Sequence, residues 1–189
     1  GTGNIGRGDV LVDIEDETST IDILEWIDHF EDFNGGNYEL RADGATPIAA
    51  SLLDAFDYFQ DFVIPFDPWS DCRSYYVILL TDGEETCDGN PRSAAQSLRT
   101  VDVAGQDYDV KTYVIGFGAD TAGSSSLNNI AQAGGTGSAF FADDYTSLQV
   151  ALNAIIQAAI PHEECNGVDD DCNGFIDENL FRPCETACG

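Results

Sequence analysis

Positive charge is scarce in this sequence: seven Lys and Arg face 35 Asp and Glu, Lys111 is the sole lysine, and the formal net charge is −28. Such a chain repels nucleic-acid phosphates and anionic membrane surfaces, so neither is expected as a partner. The same excess attracts divalent cations, although a heavily acidic surface also serves solubility or salt adaptation without a specific ligand. Imidazoles are equally rare, with only His29 and His162, and neither lies near Asp82 in sequence. There is no Ser-His-Asp set and no Cys beside a His, so no enzyme is expected. No apolar run reaches membrane-spanning length and no signal peptide is legible, so no membrane insertion is expected of this segment. Methionine is absent altogether, which agrees with a chain cut from a longer polypeptide.

What is present is an uninterrupted apolar run, Tyr76-Val77-Ile78-Leu79-Leu80-Thr81, that stops at Asp82-Gly83-Glu84-Glu85. Its length and its Val, Ile and Leu content predict a central strand buried on both faces of a parallel sheet flanked by helices. Asp82 then stands at the carboxyl end of the strand, where the loops of an open α/β sheet converge on a ligand crevice. Upstream, Ala42-Asp43-Gly44-Ala45-Thr46-Pro47 predicts a tight turn feeding a helix with Pro47 at its first position and Thr46 as N-cap. Further strands are expected near Val10 to Ile14, Val110 to Phe117 and Ala139 to Ala142. Helices are expected near Ser19 to Phe33, Pro47 to Phe62, Ser93 to Arg99, Ser125 to Ala133 and Thr146 to Ala159.

The Thr46 turn, the strand ending in Thr81-Asp82-Gly83, the run Thr112-Tyr113-Val114-Ile115-Gly116-Phe117-Gly118 and the later Gly134-Gly135-Thr136-Gly137 follow one another as in the von Willebrand factor A domain, which this chain resembles. The resemblance implies a doubly wound, Rossmann-like α/β fold over residues 1–160. It also implies a metal-ion-dependent adhesion site for which Thr46 and Asp82 fall on the second and third metal motifs, with Mg2+ or Ca2+ as the ion. The first motif of that family, Asp-x-Ser-x-Ser after the first strand, has no counterpart at the right place. Asp16-Glu17-Thr18-Ser19-Thr20 is similar, but Asp16 precedes Thr46 by only 30 positions, too few for a first helix and two more strands. Thr18 to Thr20 instead reads as the cap of the helix carrying Ile21, Ile23 and Leu24. The sheet is thus expected to lack its first strand here, and an upstream segment or another chain is expected to complete it. Arg7-Gly8-Asp9 is too short a triplet to carry an integrin reading.

Six cysteines stand at 72, 87, 165, 172, 184 and 188, and their density after residue 160 points to an oxidising, extracellular or cell-surface compartment. Cys72 and Cys87 flank the strand, so a bridge between them requires the Asp82 loop to fold back along it; the spacing alone does not assign the pairing. A zinc site is the alternative for the later cysteines, against which stand the lack of a C-x2-C pair and the poor position of His162.

After Ile160-Pro161 the apolar content collapses, and residues 161–189 form a Cys-rich tail too short for a core of its own, to be held by disulfides or metal. Within it, Asp169-x-Asp171-x-Asn173-Gly174 places oxygen donors at alternate positions before a glycine, the arrangement a calcium loop needs. Phe175 is expected to add its backbone carbonyl and Asp177 a further ligand. Leu180 stands where an EF-hand has its bidentate Glu, so an EF-hand is not expected. The loop resembles those of thrombospondin type 3 repeats and the acidic motif of secreted bacterial proteins similar to the copper-binding MopE family. Cys165 and Cys172 bracket the ligands and could close a small loop. Hard oxygen donors favour calcium over copper.

The wording Thr-Asp-Gly-Glu-Glu-Thr-Cys looks closest to secreted pilus-tip adhesins of the PilY1 family. That resemblance implies metal-supported adhesion to a protein partner in a surface filament or pilus tip. A structural scaffold with a nonfunctional adhesion site is the alternative.

Overall fold

The computed structural model describes residues 12–13, 19–25, 45–178 and 180. Only Val12 and Asp13 of the strand expected at Val10 to Ile14, and only Ser19–Glu25 (α1) of the helix expected to reach Phe33, fall within them. Arg7-Gly8-Asp9, Cys184 and Cys188 lie outside.

From Ile48 the chain is helical to Phe66, as α2 (Ile48–Tyr58), a π-helical turn (Phe59–Val63) and α3 (Ile64–Phe66). The widening immediately precedes Pro65, which has no N–H to donate and whose ring would press on the carbonyl four residues back; a wider turn relieves that clash. β1 follows at Tyr75–Thr81, then α4 at Pro91–Leu98. A short hairpin, β2 (Val101–Val103) and β3 (Gln106–Tyr108), turns at Ala104-Gly105, both with positive φ as a two-residue type I′ turn requires. β4 (Val110–Phe117), a 3-10 turn (Ala119–Thr121), α5 (Ser125–Ala133), β5 (Phe140–Ala142) and α6 (Tyr145–Ala159) complete the order.

β1, β4 and β5 form one parallel sheet in that order, with Tyr75 opposite Val110, Thr81 opposite Gly116 and Ile115 opposite Phe140. On one face, Leu52 of α2, Ala95 and Leu98 of α4 and Leu127 and Ile130 of α5 pack on Val110 and Val114 of β4. On the other, Ala151 and Ile155 of α6 cover Tyr113 and Ile115. This is the doubly wound α/β architecture expected of the sequence.

Among the described residues, however, β4 is the strand buried on both faces, whereas β1 stands at an edge. Ile78 and Leu80 of β1 are 45% and 55% exposed, because their side of the sheet is covered by α6, which packs over β4 and β5. The expectation that Tyr76 to Thr81 is sandwiched on both sides therefore does not hold within this part of the chain.

A second correction concerns Thr46. The N-cap of α2 is Pro47, and no side chain of the cap position bonds the first turn; the acceptor comes from elsewhere in the fold, as described below. Helices α4, α5 and α6 carry their own caps: Asn90 accepts from Ser93 N at 3.0 Å, Ser124 from Leu127 N at 3.2 Å, and Asp144 forms a capping box with Ser147.

The cysteines pair differently from either local expectation. Cys72 is bonded to Cys172, 100 positions away, and Cys87 is free. Cys165 is also disulfide-bonded. Neither a Cys72–Cys87 bridge nor a Cys165–Cys172 loop closure is formed. The tail comes back to the entry of β1, so the tertiary path and not sequence proximity brings Cα atoms to 6.0 Å. With Cys72, Cys165 and Cys172 in disulfides, the zinc alternative has no thiolate left at those positions.

Candidate functional site

β1 ends in Thr81, a buried residue whose hydroxyl donates to Gly83 O at 2.9 Å and accepts from Gly83 N at 3.3 Å. This knot turns the chain sharply and leaves Asp82 exposed at the carboxyl end of the sheet. The Thr46 segment lies against the same turn: a Cβ placed on Gly83 would sit 3.5 Å from Thr46 Oγ1. Thr46 is held there through its backbone, its N–H donating to Thr86 Oγ1 at 2.7 Å and its carbonyl accepting from Thr86 N at 3.1 Å. Its hydroxyl is thus free of any capping duty. Glu85 spans both segments, Oε2 accepting from Ala49 N at 2.7 Å and Oε1 from Cys87 N at 2.8 Å. On the other side of the mouth, the Ser124 hydroxyl donates to Glu84, joining the turn to the cap of α5. The structure therefore brings the Thr46 segment and the Asp82 turn together, and among the described residues no group of three His, Cys, Asp or Glu suited to a metal ion forms there.

The tail carries the second group of oxygen donors. Carboxylate oxygens of Glu163, Asp169 and Asp171 all lie within 4.8 Å of one another. Two ligands on opposite sides of a calcium ion, each at about 2.3–2.6 Å, stand roughly 5 Å apart, so these three fit one such ion, and their hard oxygens suit it. Backbone amides hold the group open. Glu163 Oε1 accepts from Asp170 N and Asp171 N at 2.9 and 3.1 Å, and Oε2 from Asp177 N at 2.7 Å. Asp169 accepts from Asn173 N at 3.1 Å and Gly174 N at 2.9 Å, and Asp171 also accepts from Asn173 N. Gly174 has a φ of +89°, the conformation the loop needs after its third donor.

Of the expected loop ligands, Asp169 and Asp171 come together. Asn173 turns its carbonyl oxygen to Phe175 N at 2.8 Å and its amide to Glu178. Asp177 Oδ1 is engaged by Asn166 N and Gly167 N at 2.9 and 3.1 Å, and the Phe175 ring is exposed. Glu163 is the member that reading the loop overlooked, because it stands before Cys165, outside the alternate spacing. The only signal for it is an acidic residue six positions ahead of Asp169.

The two oxygen sites lie toward opposite ends of β1. Asp82 follows its last residue, while the disulfide fastens the acidic loop just before its first, since Cys172 stands between Asp171 and Asn173. No helix among the described residues is long and apolar enough to cross a membrane.

Two curated relatives match part of the chain, both from Bacillus subtilis (strain 168). Uncharacterized protein YwmD is 36% identical over 103 residues, 54% of this chain and 41% of the relative. Uncharacterized protein YwmC is 34% identical over 112 residues, 56% of this chain and 43% of the relative. The match thus spans less than half the length of either. Residues 72–154 match the family model of the von Willebrand factor type A domain, a span that takes in Asp82 and leaves Thr46 and the tail outside. The parallel β1-β4-β5 sheet with helices on both faces is consistent, over this part of the chain, with the α/β fold of the von Willebrand factor type A domain that the match points to.

Proposed function

We propose that this chain is an extracellular, non-enzymatic protein-interaction module in which Thr46 and Asp82 help hold Mg2+ or Ca2+. In this reading the ion completes its shell with a carboxylate of a protein partner, in a surface filament or at a pilus tip. Upstream sequence or another chain supplies the remaining ligands and the missing strand. The observation that carries the reading is the convergence of the Thr46 segment on the Asp82 turn at the carboxyl end of the sheet, where α/β sheets bind ligands. The disulfides support an oxidising compartment. In the tail, Glu163, Asp169 and Asp171 hold calcium, with Asn173, Phe175 and Asp177 able to join when the loop tightens around the ion.

The test is calorimetric titration of the full-length protein that contains this chain with MgCl2 and then CaCl2. Asp82→Ala is expected to remove one Mg2+ event, while Asp169→Asn with Asp171→Asn removes a separate Ca2+ event near millimolar or tighter. Mg2+ binding untouched by Asp82→Ala would favour the scaffold reading, in which the sheet packs in an extracellular assembly without an active adhesion site.

A further inference from the structure

We propose that Glu85, together with Thr86, is the positioning device that sets Thr46 against Asp82. The proposal rests on the metal reading above and adds what holds that site in register. Helix α2 starts without a side-chain cap, since Pro47 occupies the N-cap; because Ile48 and Ala49 of its first turn are buried, the free N–H groups there need a protein acceptor. Glu85 supplies it from 36 positions away, its Oε2 on Ala49 N at 2.7 Å. The same carboxylate binds Cys87 N through Oε1 at 2.8 Å, so one charged side chain locks the start of α2 to the loop after β1. A charged acceptor at a helix N-terminus gains from the helix dipole as well as from the hydrogen bond.

The neighbouring residue completes the device. Thr86 makes both of the backbone bonds of Thr46, accepting from its N–H and donating to its carbonyl. No other hydrogen bond to Thr46 exists among the described residues. The close fit extends to Gly89, where a Cβ would fall 2.4 Å from Ala49 Cβ and 3.3 Å from Glu85 Oε2. The loop after β1 therefore does two things: residue 82 offers a ligand, and residues 85 and 86 carry the other ligand's segment to it. Glu85 itself is committed to two amides and is a positioning residue, not a metal ligand.

The experiment compares the full-length protein with Glu85→Ala, Thr86→Val and Glu85→Gln, using Asp82→Ala as the control for the metal reading. Mg2+ affinity is read by calorimetry, and protection of the Thr46 and Ala49 amides by hydrogen exchange in metal-free buffer. Glu85→Ala is expected to lose protection at Ala49 and to weaken Mg2+ at least tenfold. Glu85→Gln, which keeps one acceptor oxygen, is expected to recover part of both. Calcium binding by the tail stays as in the unaltered protein and reports that the fold survives. If Glu85→Ala and Thr86→Val bind Mg2+ like the unaltered protein while Asp82→Ala does not, the positioning role is refuted and the metal reading stands. If Mg2+ binding is absent or survives Asp82→Ala, the metal reading falls and the positioning role falls with it.

Discussion

Replacing Cys72 and Cys172 together by Ser removes the disulfide that ties the acidic tail to the start of β1. The bond closes a loop across 100 positions of sequence, and in the chain-entropy account a loop of that length restricts the unfolded ensemble by about 4.7 kcal/mol. A domain with a total stability of about 5–15 kcal/mol would give up a large share of it. At about 2–4 °C per kcal/mol for a chain of this size, the melting temperature should fall by roughly 10–20 °C. The assay is thermal and urea unfolding of the unaltered and double-serine proteins without reductant, followed by far-UV circular dichroism, with non-reducing peptide mapping alongside. Cys87→Ser, which breaks no bond, should shift the midpoint by far less. Equal midpoints for the unaltered and double-serine proteins, or a peptide joining Cys72 to Cys87, would refute the reasoning.

Other perturbations test the packing and the titrating groups. Leu52→Ala empties a fully buried position between α2 and the sheet and should cost about 3–5 kcal/mol in urea unfolding. Gly134→Ala should cost about 1–3 kcal/mol, because its Cβ would meet Thr112 Cβ at 2.6 Å and Thr112 O at 3.0 Å; a neutral effect would mean that α5 and β4 are further apart than described. Burial, and then the hydrogen bond from its hydroxyl to Asp67 at 2.8 Å, hold the Tyr75 phenol well above its ordinary range. A raised folded-state value means that this contribution is intact below the unfolded tyrosine value of about 10 and is lost as pH climbs past it; Tyr75→Phe should flatten that alkaline decline in a stability–pH profile. Asp144 moves the other way, held below the usual carboxylate range by the Ser147 backbone and hydroxyl. Its contribution is present above that range and fades as pH falls through it, so Asp144→Asn should blunt the acid limb of the α6 hydrogen-exchange profile.

The elements that sequence reading located best are those whose signal is local. Tyr75–Thr81 and Val110–Phe117 are continuous runs of strand-forming residues, and Ser125–Ala133 starts at a Ser cap and stops at Gly134. The β2–β3 hairpin escaped because three-residue strands are too short for a period to register, and Ala104 is an unusual occupant of a positive-φ turn position. The cap of α2 was assigned to Thr46 because caps are ordinarily adjacent in sequence, whereas here the acceptor is Glu85. Asp169 and Asp171 were legible from alternate spacing; Glu163 was not, because the backbone folds it in from outside the loop.

By itself, the sequence determined the alternation of strands and helices, the placement of Asp82 after an apolar strand, the acidic loop of the tail and the disulfide chemistry implied by its cysteines. Each of these depends on side-chain period, turn chemistry or composition, which act over a few residues. Only the tertiary structure decided that Cys72 pairs with Cys172, that among the described residues β4 rather than β1 is covered on both faces, and that Glu85 and Thr86 tie the loop after β1 to Ala49 and Thr46. Those outcomes turn on distances between residues tens of positions apart, which depend on how the helices pack on the sheet and leave no mark in local sequence.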